Sequence, residues 1–203
     1  MLNEFLLLAT AHLFAVASPG ADFAIVIKNT LGCGKKTGLA TAFGIGLGIL
    51  VHMIYTLFGV AILLAKSAVL FSVIKWAGAG YLLWFAYQSF QSRKKDETLA
   101  EQTGQQLITV TQAIKQGFVV NVLNPKVTLF FVALFTNIVS PSTPLSLQIA
   151  YGLWLSFYTM AWFSLVAWGF SRRLVLNWYQ DHGHYIDWAM GAILVLIAIR
   201  LIA

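Results

Sequence analysis

Apolar residues run in six long stretches along the chain, separated by short polar segments and by one long polar segment. The stretches cover residues 3–28, 39–65, 67–90, 114–139, 146–170 and 185–203. A helix needs about 20 apolar residues to cross a bilayer, and each stretch meets or approaches that length. The pattern therefore predicts an all-α polytopic membrane protein with six transmembrane helices.

The long polar segment, residues 91–112, divides the chain into two halves of three predicted spans each. We expect a single membrane domain over residues 1–203. Within it, a first repeat covers about 1–90, a loop covers about 91–112, and a second repeat covers about 113–203.

Composition supports a membrane location. Hydrophobic residues make up 59% of the 203-residue chain and charged residues only 10%, against about 25% charged in an ordinary soluble domain. This balance excludes a disordered chain, a collagen-like fibre and a disulfide scaffold. Cys33 is the single cysteine, so the chain has no intrachain disulfide and no cysteine array for zinc or redox chemistry.

The net charge of +6 is used to orient the chain and does not indicate a nucleic-acid partner, because the basic residues lie at the ends of apolar stretches. One side of the predicted topology carries nine of them: Lys28, Lys35, Lys36, Arg93, Lys94, Lys95, Lys115, Arg172 and Arg173. The other side carries three: Lys66, Lys75 and Arg200. The positive-inside rule places the first side, with the 91–112 loop, in the cytoplasm and both termini outside it.

Three short patterns recur in the same order in both halves. They pair Ser18–Phe23 with Asn124–Leu129, Ala42-Phe43-Gly44 with Ala150-Tyr151-Gly152, and Ile74–Ala77 with Ile186–Ala189. With three spans per half, the second half must insert upside down relative to the first. The sequence thus predicts an inverted repeat, which is the usual architecture of secondary transporters that work by alternating access.

The first predicted span of each half is interrupted by proline, at Pro19-Gly20 and at Asn124-Pro125. Matching interrupted spans indicate the substrate site of such transporters. Proline removes a backbone donor, and the freed backbone groups and half-helix ends can hold a zwitterion.

Two ionisable side chains lie at these breaks, Asp22 and Lys126. Each charge at the bilayer centre costs about 2.5–3.5 kcal/mol on insertion scales, so both should face the protein interior. Asp22 would then bind a substrate ammonium or carry a coupling proton, and Lys126 would bind a carboxylate or balance Asp22. The alternatives are a structural ion pair, or an Asp22 side chain that reaches toward the nearby cytoplasmic face.

Other polar residues in the spans are weaker candidates for the substrate or coupling site. They are Asn121 and Asn124, one turn apart, and His12, His52, Tyr55 and Trp162. Each could instead be a satisfied or packed core residue. His182 and His184 are expected in a solvated loop. Gly44 and Gly48 form a small-residue pair that favours close helix contact within the fold or dimerisation.

The quoted motifs resemble those of the LysE/RhtB family of amino-acid exporters. The resemblance rests on Ser18–Asp22 with Gly38 and Gly44–Gly48, on Ala77–Leu82, and on Gly117–Asn121 with Asn124–Lys126 and Phe130-Phe131. It covers nearly the whole chain and is closest to the threonine/homoserine branch, through His12 and Trp162-Phe163. Ala21 stands where the family usually has a second proline.

The resemblance implies export of small amino acids from the bacterial cytoplasm across the inner membrane, driven by the proton gradient. No cofactor, metal site or catalytic residue is expected, and the expected partners are the substrate, protons and lipid. The chain contains no phosphate-binding loop and no protease or hydrolase motif. The alternatives are export of a leucine-, lysine- or arginine-type amino acid, export of a metal cation, and a non-catalytic membrane subunit.

Overall fold

The computed structural model describes residues 2–18, 20–66, 68–91, 108–140 and 142–202, and these residues form helices without any strand. The all-α prediction is confirmed for this part of the chain. The helices are α1 (Leu2–Ala17), α2 (Ala21–Cys33), α3 (Lys35–Lys66), α4 (Ala68–Phe90), α5 (Val110–Val122), α6 (Pro125–Asn137), α7 (Leu145–Phe170) and α8 (Arg173–Ile202). Pro19 and residues 92–107 of the predicted loop lie outside the described residues.

Two of the described helices are by themselves long and apolar enough to cross a bilayer: α3 over Lys35–Gly59, and α7. The pairs α1–α2 and α5–α6 also qualify when each pair is taken as one bent span, which gives up to four spans in the described residues. Large apolar side chains on the outer surface, including Phe58, Phe157 and Leu165, are each more than 60% exposed. A bilayer would cover such a surface, which water would not favour.

The two predicted breaks are both present as sharp bends. Helices α1 and α2 meet at 53°, and α5 and α6 meet at 55°. Asn124 caps α6 by accepting a hydrogen bond from the Lys126 backbone N–H, and Pro125 takes the first helical position, where its missing N–H is no loss. Gly20 precedes α2 in an extended conformation and makes no side-chain cap.

The last helix differs from the expectation. His182 and His184 lie inside α8, which begins at Arg173, so the prediction of a loop there is wrong. Gly183 leaves room for the Tyr179 ring, which lies 3.0 Å from the position that a Cβ would take. The first turns of α8 are polar, and a search for apolar stretches does not detect polar helical turns.

Helices α3 and α5 approach so closely that glycine is needed between them. A Cβ on Gly44 would lie 2.1 Å from the Ile114 carbonyl oxygen, and one on Gly117 would lie 2.2 Å from the Thr41 carbonyl oxygen. The small-residue pair of α3 therefore serves contact within the chain. Asn29 of α2 ties the same helices together: its Nδ2 donates to Thr41 Oγ1 at 2.9 Å and to Gln116 Oε1 at 3.0 Å.

The buried apolar side chains form two clusters. One contains Leu8, Ile49, Phe131 and Leu155, and the other contains Phe23, Val26, Ile45, Phe163 and Phe170. Members of both clusters lie next to residues of the helix breaks, which helps to shield the polar groups there from lipid.

Candidate functional site

A small cavity lies where the two broken helix pairs meet. Its polar lining is His12, Ser18, Gly20, Asp22, Asn124, Lys126 and Thr159, and its apolar lining includes Phe23, Ile49, Phe130, Phe131 and Phe163. Its volume is about 30 Å³, which is room for about two water molecules.

Asp22 lies in the first turn of α2, with its side chain buried against this cavity. The positive end of the helix dipole favours a carboxylate at this position. Asn121 Nδ2 donates to Asp22 Oδ2 at 2.9 Å. The other carboxylate oxygen, Oδ1, is buried and accepts no hydrogen bond. Asp22 is thus held by one oxygen and offers the second as a buried acceptor.

Lys126 lies in the first turn of α6, directly after the second break. Its ammonium Nζ donates to the Ser18 carbonyl oxygen at 2.9 Å, just beyond the C-terminal end of α1, where a cation is favoured. The same ammonium is attracted electrostatically to Asp22. Gly20 leaves room for it, since a Cβ there would lie 3.3 Å from Nζ.

The two breaks are therefore joined by their charged side chains. Asp22 follows the first break and is bonded by Asn121 of α5, and Lys126 follows the second break and bonds the end of α1. Asn124 completes the polar group by capping α6 beside the cavity.

His52 and Tyr55 lie behind this group and outside the cavity lining. His52 Nε2 lies 2.9 Å from the Asn121 carbonyl oxygen. A carbonyl can only accept, so Nε2 carries the hydrogen, and Nδ1 accepts from the Tyr55 hydroxyl. Nε2 of His52 thus supports α5 next to Asp22, while Nδ1 bonds Tyr55 on its own helix, α3.

His12 of α1 forms part of the wall of the same cavity as Asp22 and Lys126. It is 2% exposed, and its Nε2 lies 2.8 Å from Thr159 Oγ1 of α7. The remaining ring nitrogen, Nδ1, is buried and has no hydrogen-bond partner. Trp162, by contrast, lines a separate apolar cavity of about 260 Å³ between α2, α7 and α8, and does not line the central one.

The sequence reasoning missed three residues. Ser18 supplies the carbonyl that accepts from Lys126, and Thr159 bonds His12 across 147 residues, so no local pattern could have identified either contact. Asp187 is 2% exposed in α8 and is attracted to Lys126. The sequence did contain an indication of Asp187, because it is an acidic residue inside the sixth apolar stretch.

The cavity lining presents one side chain of each charge. Asp22 Oδ1 is a buried acceptor, and the Lys126 ammonium is a donor. Within the described part of the chain, no group of three or more histidine, cysteine, aspartate or glutamate side chains is arranged to hold a metal ion.

Comparison with known proteins identifies the family to which these features belong. The family described as LysE type translocator matches residues 13–203 of the chain. No solved structure matches the chain.

Individual relatives match over most of the chain. The threonine efflux protein of Escherichia coli K12 is 29% identical over 203 residues, which covers 100% of this chain and 98% of that protein. The uncharacterized membrane protein YahN of the same organism is 28% identical over 197 residues, with 95% and 87% covered. A further uncharacterized membrane protein, from Vibrio cholerae, is 32% identical over 135 residues, with 66% and 64% covered.

Proposed function

The chain belongs to the LysE type translocator family, and from this premise we propose that it exports small amino acids of the threonine and homoserine kind from the bacterial cytoplasm. Members of this family are transporters and not enzymes. The threonine efflux proteins that match the full chain favour this substrate class. The meeting of Asp22 and Lys126 at one cavity carries the proposal.

The proposed architecture is a single domain with six spans arranged as two inverted repeats. The repeats are α1 to α4 and α5 to α8, and each opens with a helix pair bent by a similar angle, 53° and 55°. In this arrangement α4 and α8 form the third span of each repeat. The basic residues then place the 91–112 loop in the cytoplasm and both termini outside it.

The amino acid would bind as a zwitterion between the two breaks. Its ammonium would donate to Asp22 Oδ1, the buried oxygen that accepts no hydrogen bond. Its carboxylate would bind the Lys126 ammonium, which donates to the Ser18 carbonyl oxygen in this structure. Asn121 holds the Asp22 carboxylate, and Asn124 caps α6 at the Lys126 backbone N–H, so the two amides fix the places from which these side chains start.

Transport would follow alternating access, with one repeat rocking against the other around this site. In this proposal the cavity of about 30 Å³ expands on one side to admit substrate. Protons provide the driving force in this proposal, and Asp22 is the group that alternates between a proton and the substrate ammonium. Asp22 would have to take up a proton before it is buried without substrate. This requirement would couple proton movement to substrate movement.

The test is uptake of labelled threonine into everted membrane vesicles, in which export from the cytoplasm becomes accumulation. We expect accumulation to require an imposed proton gradient, acidic inside. Asp22→Asn keeps the size of the side chain and can still accept from Asn121, but it has no charge for the ammonium. Accumulation should fall to the level of vesicles that lack the protein.

The matched control is Asp181→Asn, which makes the same change at an exposed position on α8. It should accumulate threonine as the unchanged protein does. Equal insertion of the variants in the membrane is checked by immunoblot. Normal accumulation by Asp22→Asn would remove Asp22 from the mechanism, and accumulation without any proton gradient would remove protons as the driving ion.

A further inference from the structure

We propose that His12 determines which amino acids are exported, by accepting a hydrogen bond at Nδ1 from a hydroxyl group on the substrate side chain. This inference rests on the proposed export function and adds a specificity-determining residue to it. It assigns hydroxyl-bearing amino acids, and not their aliphatic isosteres, as the preferred substrates.

In this proposal the ring hydrogen of His12 lies on Nε2. This nitrogen lies 2.8 Å from Thr159 Oγ1 of α7, a hydroxyl oxygen that can accept the hydrogen. Nδ1 is then a lone-pair acceptor and cannot donate to a carboxylate.

This acceptor is buried and has no hydrogen-bond partner. Buried side-chain polar atoms in folded proteins are almost always paired, so an acceptor without a partner at the wall of a cavity indicates that a ligand supplies the missing donor. The ring is also held in place. Phe130, Phe131 and Tyr158 surround it, with ring centroids 6.0, 6.1 and 6.0 Å from that of His12.

The same cavity contains the second such acceptor, Asp22 Oδ1. A ligand that satisfies both must present two donor groups. In an amino acid the ammonium is one, and a side-chain hydroxyl is the other, while the carboxylate is left for Lys126. The remaining wall, with Ile49, Val127 and Phe131, is apolar and suits the aliphatic part of the side chain.

Threonine and valine provide a matched pair of probes, because they differ only by a hydroxyl in place of a methyl group. A site that binds a hydroxyl through a buried acceptor rejects the isostere that leaves the acceptor unpaired. We expect the unchanged protein to transport threonine about tenfold more efficiently than valine in everted vesicles, measured as the ratio of initial rates at low substrate concentration.

His12→Phe keeps a ring in the aromatic surroundings but removes Nδ1. We expect it to lower threonine transport about tenfold and to leave valine transport unchanged, so that the ratio falls close to one. Thr159→Val removes the partner that fixes Nε2 and should lower the ratio in the same direction, whereas Thr159→Ser keeps the hydroxyl and should preserve it. His12→Gln retains a side-chain acceptor and should recover part of the threonine preference.

Each result is decisive. Equal transport of threonine and valine by the unchanged protein would overturn the role of His12 while leaving export intact. A fall of both rates by the same factor in His12→Phe, with normal amounts of protein in the membrane, would also overturn it, because a structural or proton-carrying role would not distinguish the two substrates. If the unchanged protein transports neither amino acid, the proposed function itself fails and this inference falls with it.

Discussion

Gly48 offers a sharp test of how the helix packing supports the site. It lies on α3, facing α5, and a Cβ placed on it would lie 2.4 Å from Asn121 Oδ1 and 2.9 Å from Asn121 Cβ and Cγ. All of these distances are shorter than real Cβ contacts. Gly48→Ala would therefore displace Asn121, whose Nδ2 holds the Asp22 carboxylate at 2.9 Å.

The size of the effect follows from the two interactions that change. Adding one methyl group to a tightly packed contact costs about 1–3 kcal/mol. A hydrogen bond to a charged group contributes about 1.5–3 kcal/mol when it is lost. If only half of the hydrogen-bond contribution, about 0.75–1.5 kcal/mol, appears as weaker substrate binding, Gly48→Ala lowers the affinity for threonine about 4- to 12-fold.

Gly59→Ala is the matched control, because Gly59 is on the same helix and has no atom within 4 Å of the position of its Cβ. Both substitutions change helix propensity equally, by about 0.5–1 kcal/mol in favour of alanine. The assay is the concentration dependence of threonine uptake in everted vesicles, together with the thermal unfolding midpoint in detergent. Asn121→Ala, which removes the clashing side chain, should reproduce the loss of affinity without the packing strain.

The reasoning would be refuted if Gly48→Ala matched Gly59→Ala in both threonine affinity and unfolding midpoint. That result would mean that Asn121 can move without disturbing Asp22. A lower midpoint with unchanged affinity would separate the packing from the site and would show that Asn121 does not position the carboxylate.

Two further predictions concern the helix contact and the orientation. Gly117→Ala would place a Cβ 2.2 Å from the Thr41 carbonyl oxygen, and since backbone cannot give way, we expect a loss of stability of at least about 3 kcal/mol and little folded protein by size-exclusion chromatography. Gly80→Ala, which meets no atom within 4 Å, should behave as the unchanged chain, and equal behaviour of the two would contradict the close approach of α3 and α5. In a Cys33→Ser background, a membrane-impermeant thiol reagent applied to intact cells should label Ser142→Cys and not Gln91→Cys, both at exposed positions. The opposite labelling pattern would reverse the proposed topology.

Part of the site could be predicted from the sequence because it depends on local chemistry. Proline and glycine interrupt helices wherever they lie within an apolar stretch, and both predicted breaks are bends in the structure. A charge in such a stretch must face the interior, and Asp22 is buried at the cavity that Lys126 also lines. The same rule applies to Asp187, whose burial in α8 could have been expected from its place in the sixth stretch.

Other features depended on contacts between distant parts of the chain. His12 and Thr159 are 147 residues apart, and Lys126 and Ser18 are 108 residues apart. Hydropathy and local spacing therefore cannot predict either hydrogen bond. Only the packing of α7 on α1 decides which nitrogen of His12 bonds Thr159 and which is left without a partner.

The sequence by itself determined that the chain is helical and suited to a membrane, where its helices break, and that its interior contains opposite charges. These properties follow from side-chain hydrophobicity and backbone chemistry, which act over one or two turns. The tertiary structure alone decided that the two breaks share one cavity and that Gly48 makes space for Asn121. It also decided that Asp22 and His12 each keep one acceptor without a partner there. The reason is that the directions of hydrogen bonds and the space between helices are set only when all of the helices have packed.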